Sequence, residues 1–212
     1  MKHLYLAVCC LCIGLISHAQ FNKGQRMIGG MFYLNASNNN ANTSLVDNIS
    51  YGTILSYSKF KSPMSFYSIG VSYNYSGSKN YSHSNGFGLN YGYTQLQTLA
   101  KKFYLGISGS GSTNFNYNNN YNLSGNTSSK SNGWGIEAIG SVGLFYQLNN
   151  RFLLTTNLIN LVTISYGQQR YQYFDANNNL TNTEQGSSWR INTGLTGFSL
   201  NNLGIGVKYL LK

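Results

Sequence analysis

Charge is what this sequence has least of. Only 8% of the residues are Asp, Glu, Lys or Arg, against roughly a quarter in ordinary soluble domains. The acids number four in the whole chain: Asp47, Glu137, Asp175 and Glu184. The three cysteines, Cys9, Cys10 and Cys12, all fall within the first dozen residues, so the chain beyond them has no disulfide and no thiolate. His83 is the only histidine after residue 18. Nucleophilic catalysis needs a nucleophile, a base and an orienting carboxylate within reach. Metal sites need several nitrogen, sulfur or carboxylate ligands at recognisable spacing. Neither pattern can be assembled here, so the sequence names no catalytic residue, no metal and no cofactor. An enzyme that builds its site from loops around His83, with Ser82 and Ser84 beside it, is the one enzymatic alternative.

Long apolar runs and proline are also scarce. After Ile16 no stretch approaches the roughly 20 apolar residues that a membrane-crossing helix requires, and Pro63 is the single proline. The net charge of +10 is spread thinly, with no basic cluster larger than Lys101-Lys102. A nucleic-acid footprint is a dense basic patch, so nucleic acid is excluded as a partner. Weak attraction to anionic lipid is the better use of that charge.

The first residues have the layout of a secretory signal peptide. Lys2 and His3 precede an apolar run from Leu4 to Ile16, and Ser17-His18-Ala19 offers small residues at the two positions read by the peptidase. Cleavage is expected after Ala19, which leaves residues 20–212 as one domain. A lipoprotein signal using Cys9, Cys10 or Cys12 is the rival, disfavoured because Val8 is bulky where a small residue is needed.

What the chain has in abundance is tyrosine, glycine and alternation. Tyr67, Ile69, Val71, Tyr73 and Tyr75 alternate with Ser68, Gly70, Ser72, Asn74 and Ser76. Phe87, Leu89, Tyr91 and Tyr93 alternate with Gly88, Asn90, Gly92 and Thr94. Leu203, Ile205, Val207, Tyr209 and Leu211 share one phase at the end of the chain. Period two is the signature of strands with two unlike faces. Weaker versions occupy residues 25–35, 49–60, 102–116, 133–148, 151–166 and the stretch from Trp189, giving eight strands. Tight turns are expected at residues 61–64, 98–101 and 149–150. The other connections, at 36–48, 77–85, 117–132 and 168–187, read as long loops rich in Asn, Ser, Gly and Thr. Short turns at one end and long loops at the other are the asymmetry of an outer-membrane barrel.

One face of each strand is therefore bulky and apolar, the other small and polar. In hydrocarbon every backbone N–H and C=O needs a partner, so such a sheet must close. The expected fold is all-β: a closed antiparallel up-and-down transmembrane barrel of eight strands, with ten as the alternative count. Tyr57, Tyr75, Trp134, Tyr146, Tyr166, Trp189 and Tyr209 stand near strand ends and are candidates for interfacial aromatic girdles.

The Ser17-His18-Ala19-Gln20 start, the repeated Gly/Ser/Tyr strands and the ending Leu203-Gly204-Ile205-Gly206-Val207-Lys208-Tyr209-Leu210-Leu211-Lys212 resemble the small outer-membrane β-barrel proteins, OmpA/OmpX-type in size, especially the versions of Bacteroidetes. The resemblance covers residues 20–212. It implies location in the outer membrane of a Gram-negative bacterium, outer-membrane lipid as the surrounding partner, and insertion from the periplasm by the barrel-assembly machinery reading the last strand. The ending departs from the usual pattern, because Lys212 replaces a terminal aromatic and Leu210 interrupts the alternation. The resemblance implies no activity, since barrels of this kind host many roles.

Three charged residues fall on the inward phase: Glu137, Arg190 and Lys208. Glu137 and Arg190 stand at similar distances from the long-loop end and are expected to pair and help plug the lumen; a gated channel or proton path is the alternative. Ile159, Leu161, Phe198 and Leu200 also fall inward if their strands keep phase, which points to an apolar cluster inside the barrel. Trp189 to Leu211 is far longer than the roughly 9–11 residues that cross a bilayer, so either the last strand extends well above the membrane or a bulge or turn near Asn201-Asn202 resets it. A second break at Asn157 to Asn160 would make ten strands. The functional expectation is a non-enzymatic outer-membrane barrel with a structural or surface role through its loops. The alternatives are a narrow, porin-like channel or carrier of a small apolar ligand, and a soluble lipocalin-like barrel with the aromatic face inside.

Overall fold

A computed structural model of the chain describes residues 21–39, 46–78, 82–121, 127–193 and 204–211. The expected signal peptide lies outside the described residues. The described chain contains β1 (Arg26–Asn39), β2 (Val46–Ser62), β3 (Ser65–Ser78), β4 (Ser82–Ala100), β5 (Phe103–Tyr121), β6 (Thr127–Gln147), β7 (Phe152–Phe174), β8 (Leu180–Thr193) and β9 (Ile205–Leu211).

Each of β1 to β7 pairs antiparallel with the next. β9 then pairs with the start of β7 on one side and with β1 on the other, which closes the ring. β8 continues along the far half of β7, from Val162 to Phe174. β8 and β9 are thus two pieces of the eighth stave, so nine strand segments form eight staves. The break expected near Asn201-Asn202 lies outside the described residues.

The register gives the stagger. One row of paired residues runs from Lys208 through Gly29, Ser56, Gly70, Asn90, Ser112 and Glu137 to Ser165. On its other side Lys208 pairs with Leu153, twelve residues before Ser165 on β7. Two of those twelve, Leu158 and Leu161, are bulged out of the pairing with β6. The effective shear is therefore ten. For eight strands a stagger of that size tilts the strands by about 40° and leaves an interior that side chains fill or that holds one small ligand.

The bulges decide a point of phase. Ile159 pairs with Val142, on the outward face, and Leu161 is itself exposed. Both expected inward positions are thus corrected: each bulge adds one residue against a partner strand that has none to match it, and the side-chain phase resets. Phe198 and Leu200 lie outside the described residues. No turn forms at Asn157 to Asn160. The two side chains hydrogen-bond across the bulged segment instead, Asn157 Nδ2 donating to Asn160 Oδ1 at 2.8 Å, which disposes of the ten-strand count.

A second correction concerns the long polar connections. Residues 82–85, 117–121, 127–132, 168–174 and 180–187 are strand, not loop. In these stretches the outward face is no longer consistently apolar, so the alternation fades from the sequence. The backbone pairing has no reason to stop there. The tight turns are as expected, at Pro63-Met64, Lys101-Lys102 and Asn149-Asn150. In the last, Asn149 Oδ1 accepts from the backbone N–H of Arg151 and Phe152 at 2.8 and 3.0 Å.

Candidate functional site

The outward face carries the bulk. Ile69 and Leu89 are each 61% exposed and Ile205 is 67% exposed, and the same phase on every stave presents large apolar side chains. Aromatic side chains border this band. Near the tight turns lie Tyr57, Tyr146 and Tyr209, with Phe103 against Tyr146 at 4.5 Å between centroids and Phe152 against Tyr209 at 5.2 Å. Toward the ribbon end lie Tyr75, Trp134, Tyr166 and Trp189, the last three in a ladder with centroids 5.8 and 4.8 Å apart.

The inward face is divided in two. At the tight-turn end it is closed by an apolar plug of Phe21, Met27, Phe60, Phe66, Leu96, Tyr104, Phe145, Leu153 and Leu210, all buried, with Met64 packed beneath. Phe21 stacks on Phe60 at 4.8 Å, Phe60 meets Phe66 edge-on at 5.3 Å, and Phe66 meets Phe145 at 6.1 Å. The segment before β1 is turned into this end by Gly24, whose φ of 84° suits glycine. Its N–H donates to the Phe60 carbonyl at 2.9 Å. Leu210, which breaks the terminal alternation, is buried here and lies opposite Met27 in the register. The Tyr104 hydroxyl, inside the plug, donates to Gln147 Oε1 at 3.4 Å.

The plug is the feature that sequence reading missed. Its signal was present: Phe60, Phe66, Leu96, Tyr104 and Phe145 sit on the small-residue phase, and each lies within five residues of a tight turn. Large residues clustered next to the turns, on a face that elsewhere carries many Ser, Gly and Asn, mark where the lumen is stopped.

Above the plug the lumen opens into a cavity of about 680 Å³. Its walls combine Ser, Thr and Asn, including Ser68, Ser72, Ser108, Ser112, Asn74 and Asn114, with the larger side chains Met31, Tyr33, Ile54 and Ile139. Two charged side chains line it, Glu137 and Lys208. Lys208 Nζ lies 5.4 Å from the centroid of the Phe66 ring, at the top of the plug, and donates to Ser56 Oγ and Ser58 Oγ at 3.4 and 3.5 Å. Asn90 Nδ2, also in the wall, is buried with no hydrogen-bond partner among the described residues.

Arg190 does not join this set. Ser165 is the register neighbour of both Glu137 and Arg190, which puts them two strands apart in one row. No ion pair forms between them, and Arg190 is exposed along with the rest of β8. Among the described strands β8 pairs with β7 alone.

His83 stands on the ribbon of β4. Its Nδ1 is hydrogen-bonded with the Tyr75 hydroxyl at 2.8 Å, and its ring meets Tyr121 edge-on at 5.7 Å. Among the described residues there is no group of three or more side chains able to hold a metal ion, and no helix is long and apolar enough to cross a membrane.

No protein-family model matches the chain, and no curated protein matches it. Among solved structures it is similar to the outer membrane protein OprG from Pseudomonas aeruginosa, with 10% identity over 92% of this chain and 99% of that one and a TM-score of 0.46. It is similar to the N-terminal β-barrel domain of OprF from the same organism, with 14% identity over 90% and 100% of the two chains and a TM-score of 0.41. It is also similar to the translocator domain of the autotransporter NalP from Neisseria meningitidis, with 10% identity over 99% and 94% and a TM-score of 0.47. Similarity at this level assigns no residue a role.

Proposed function

We propose that the chain is a non-enzymatic protein of a Gram-negative outer membrane, seated in lipid as a closed eight-stave barrel and acting through the ribbons that rise beyond the membrane. The observation that carries this reading is the inversion of polarity, with large apolar side chains outside and Ser, Thr, Gly and Asn inside. Burying apolar surface away from water is the main force in folding, and water around this barrel would leave the band of Ile, Leu, Phe and Tyr exposed. Hydrocarbon around it removes that cost, and the pairing of β1 with β9 from Arg26 to Phe32 closes the ring there, as the lack of water in a bilayer requires. The soluble lipocalin-like alternative needs the opposite phase. Insertion by the barrel-assembly machinery, with the last strand read as the signal, belongs to the same proposal.

The plug argues against a conducting pore, because its rings fill the turn end of the lumen. An enzymatic role finds no support at His83, whose ring neighbours are tyrosines. The test is cell fractionation followed by gel migration with and without boiling. The expected result is recovery with outer membranes and a mobility that changes on boiling. Recovery as a soluble protein with heat-independent mobility would overturn the proposal.

A further inference from the structure

We propose that the lumen above the plug is a binding site for a small anionic solute rich in hydroxyl groups, with Lys208 holding the anionic group. The inference rests on the barrel and its plug, not on the surface role of the ribbons.

Three observations meet in this cavity. The first is Lys208. An ammonium carries three N–H donors, and here two of them reach serine hydroxyls at 3.4 and 3.5 Å, which are long hydrogen bonds. The Phe66 ring faces the same nitrogen. A charge inside a barrel ordinarily has a charged partner, yet among the described residues no carboxylate is bonded to Lys208. Among the described residues, the carboxylate that lines the cavity is that of Glu137. It lies six strands round the ring in a row that climbs as it winds, so it stands toward the ribbon end rather than beside Lys208.

The second observation is Asn90. It occupies the same row four strands from Lys208, on the opposite wall of an eight-stave ring, and its Nδ2 has no partner among the described residues. A buried donor left unpaired costs stability, and an acceptor on a bound solute would satisfy it. The third is the wall itself. Ser68, Ser72, Ser108 and Ser112 line the cavity with groups that both donate and accept, the chemistry suited to a polyhydroxylated body. The cavity's size of about 680 Å³ is within the range of small-molecule sites. The plug makes it blind at the turn end, so a solute is retained rather than passed through.

The experiment is calorimetric titration of the folded protein in detergent with glucose 6-phosphate, glucuronate and neutral glucose. At least one of the two anions is expected to bind, and glucose to bind about tenfold more weakly or not at all, the effect of one charge-assisted hydrogen bond. Glucuronate against glucose 6-phosphate decides between a carboxylate and a phosphate as the anionic group. Lys208→Met is expected to weaken anion binding about tenfold or more. Ser56→Asp, which keeps the lysine and sets a carboxylate beside it, is expected to do the same. Heat-dependent mobility is read on every preparation and shows whether the barrel is intact. An intact barrel that binds neither anion overturns the inference and leaves the membrane reading untouched. Glucose binding as tightly as the anions, or undiminished anion binding by an intact variant, also overturns it.

Discussion

At the scale of single residues, room in this lumen is made by glycine and taken up by rings. The Phe145 ring lies over Gly106 and the Tyr33 ring lies over Gly52, each so close that a Cβ could not be added without moving the ring. Phe145 is part of the plug, so a methyl group at residue 106 would press on the whole ring cluster. Gly106→Ala is expected to lower stability by about 1–3 kcal/mol, the usual cost of overpacking. Gly109→Ala, three residues on, meets nothing within 4 Å and should be close to neutral. Urea midpoints of the two variants in detergent check the contrast; equal midpoints would show that the ring does not bear on residue 106. The same scale holds Lys208, whose alkyl stem crosses from the wall of the last stave to the top of the plug.

At the scale of elements, the β7–β8 ribbon shows how strands persist beyond the apolar band. Its tip is organised by Asp175. The Asn179 backbone N–H donates to Asp175 Oδ1 at 2.8 Å and the Asn179 side chain to Oδ2 at 3.1 Å, with the Asn177 N–H on Oδ1 at 2.9 Å. The bonds from Asn179, and then that from Asn177, hold the carboxyl below the usual aspartate range. A folded-state value below the unfolded one means that the contribution is present above the ordinary value of about 3.9 and is lost as pH falls through the lower, folded value. The amide shift of Asn179 is therefore expected to stay constant at neutral pH and to titrate with a midpoint below about 3.9. A midpoint at or above that value would contradict the geometry, and Asp175→Asn should flatten the curve. Asn178, beside it, takes a φ of 62°, a conformation Asn tolerates and β-branched residues do not. Asn178→Val is expected to cost about 1–2 kcal/mol, seen as faster amide exchange confined to the ribbon.

At the scale of the whole molecule, the question is which face meets lipid and whether the lumen passes ions. Ile69 lies on the outward band and is open to the surroundings. Ile69→Arg is expected to reduce stability in bilayers by about 2–4 kcal/mol if it sits near the midplane, and less toward the interface. A soluble barrel would tolerate or welcome the same charge, so an unchanged stability in lipid would count against insertion. The plug makes a second whole-molecule prediction. The unaltered protein is expected to show no steady conductance in a planar bilayer, and combined Phe21→Ala, Phe60→Ala and Tyr104→Ala changes to raise it. Steady conductance by the unaltered protein would mean that the ring cluster does not seal the lumen.

The alternation of side chains along β3, β4 and β9 is a local property of an extended chain, because successive residues point to opposite faces. The sequence by itself therefore determined the fold class, the outward set from Ile28 to Val207, the tight turns and the need for closure. It also placed Glu137 and Lys208 on the inward phase. It could not place Ile159 and Leu161, because a bulge resets the phase and depends on the neighbouring strand having one residue fewer. It could not see that residues 168–174 and 180–187 remain paired, because beyond the apolar band the pairing leaves no hydrophobic pattern. Only the tertiary structure decided how the lumen is filled. Ring closure and a shear of ten bring Phe21, Phe60, Phe66, Tyr104 and Phe145 together from five separate segments. They also set Lys208 above the Phe66 ring and Asn90 on the opposite wall, leaving between them a cavity that no local pattern in the chain records.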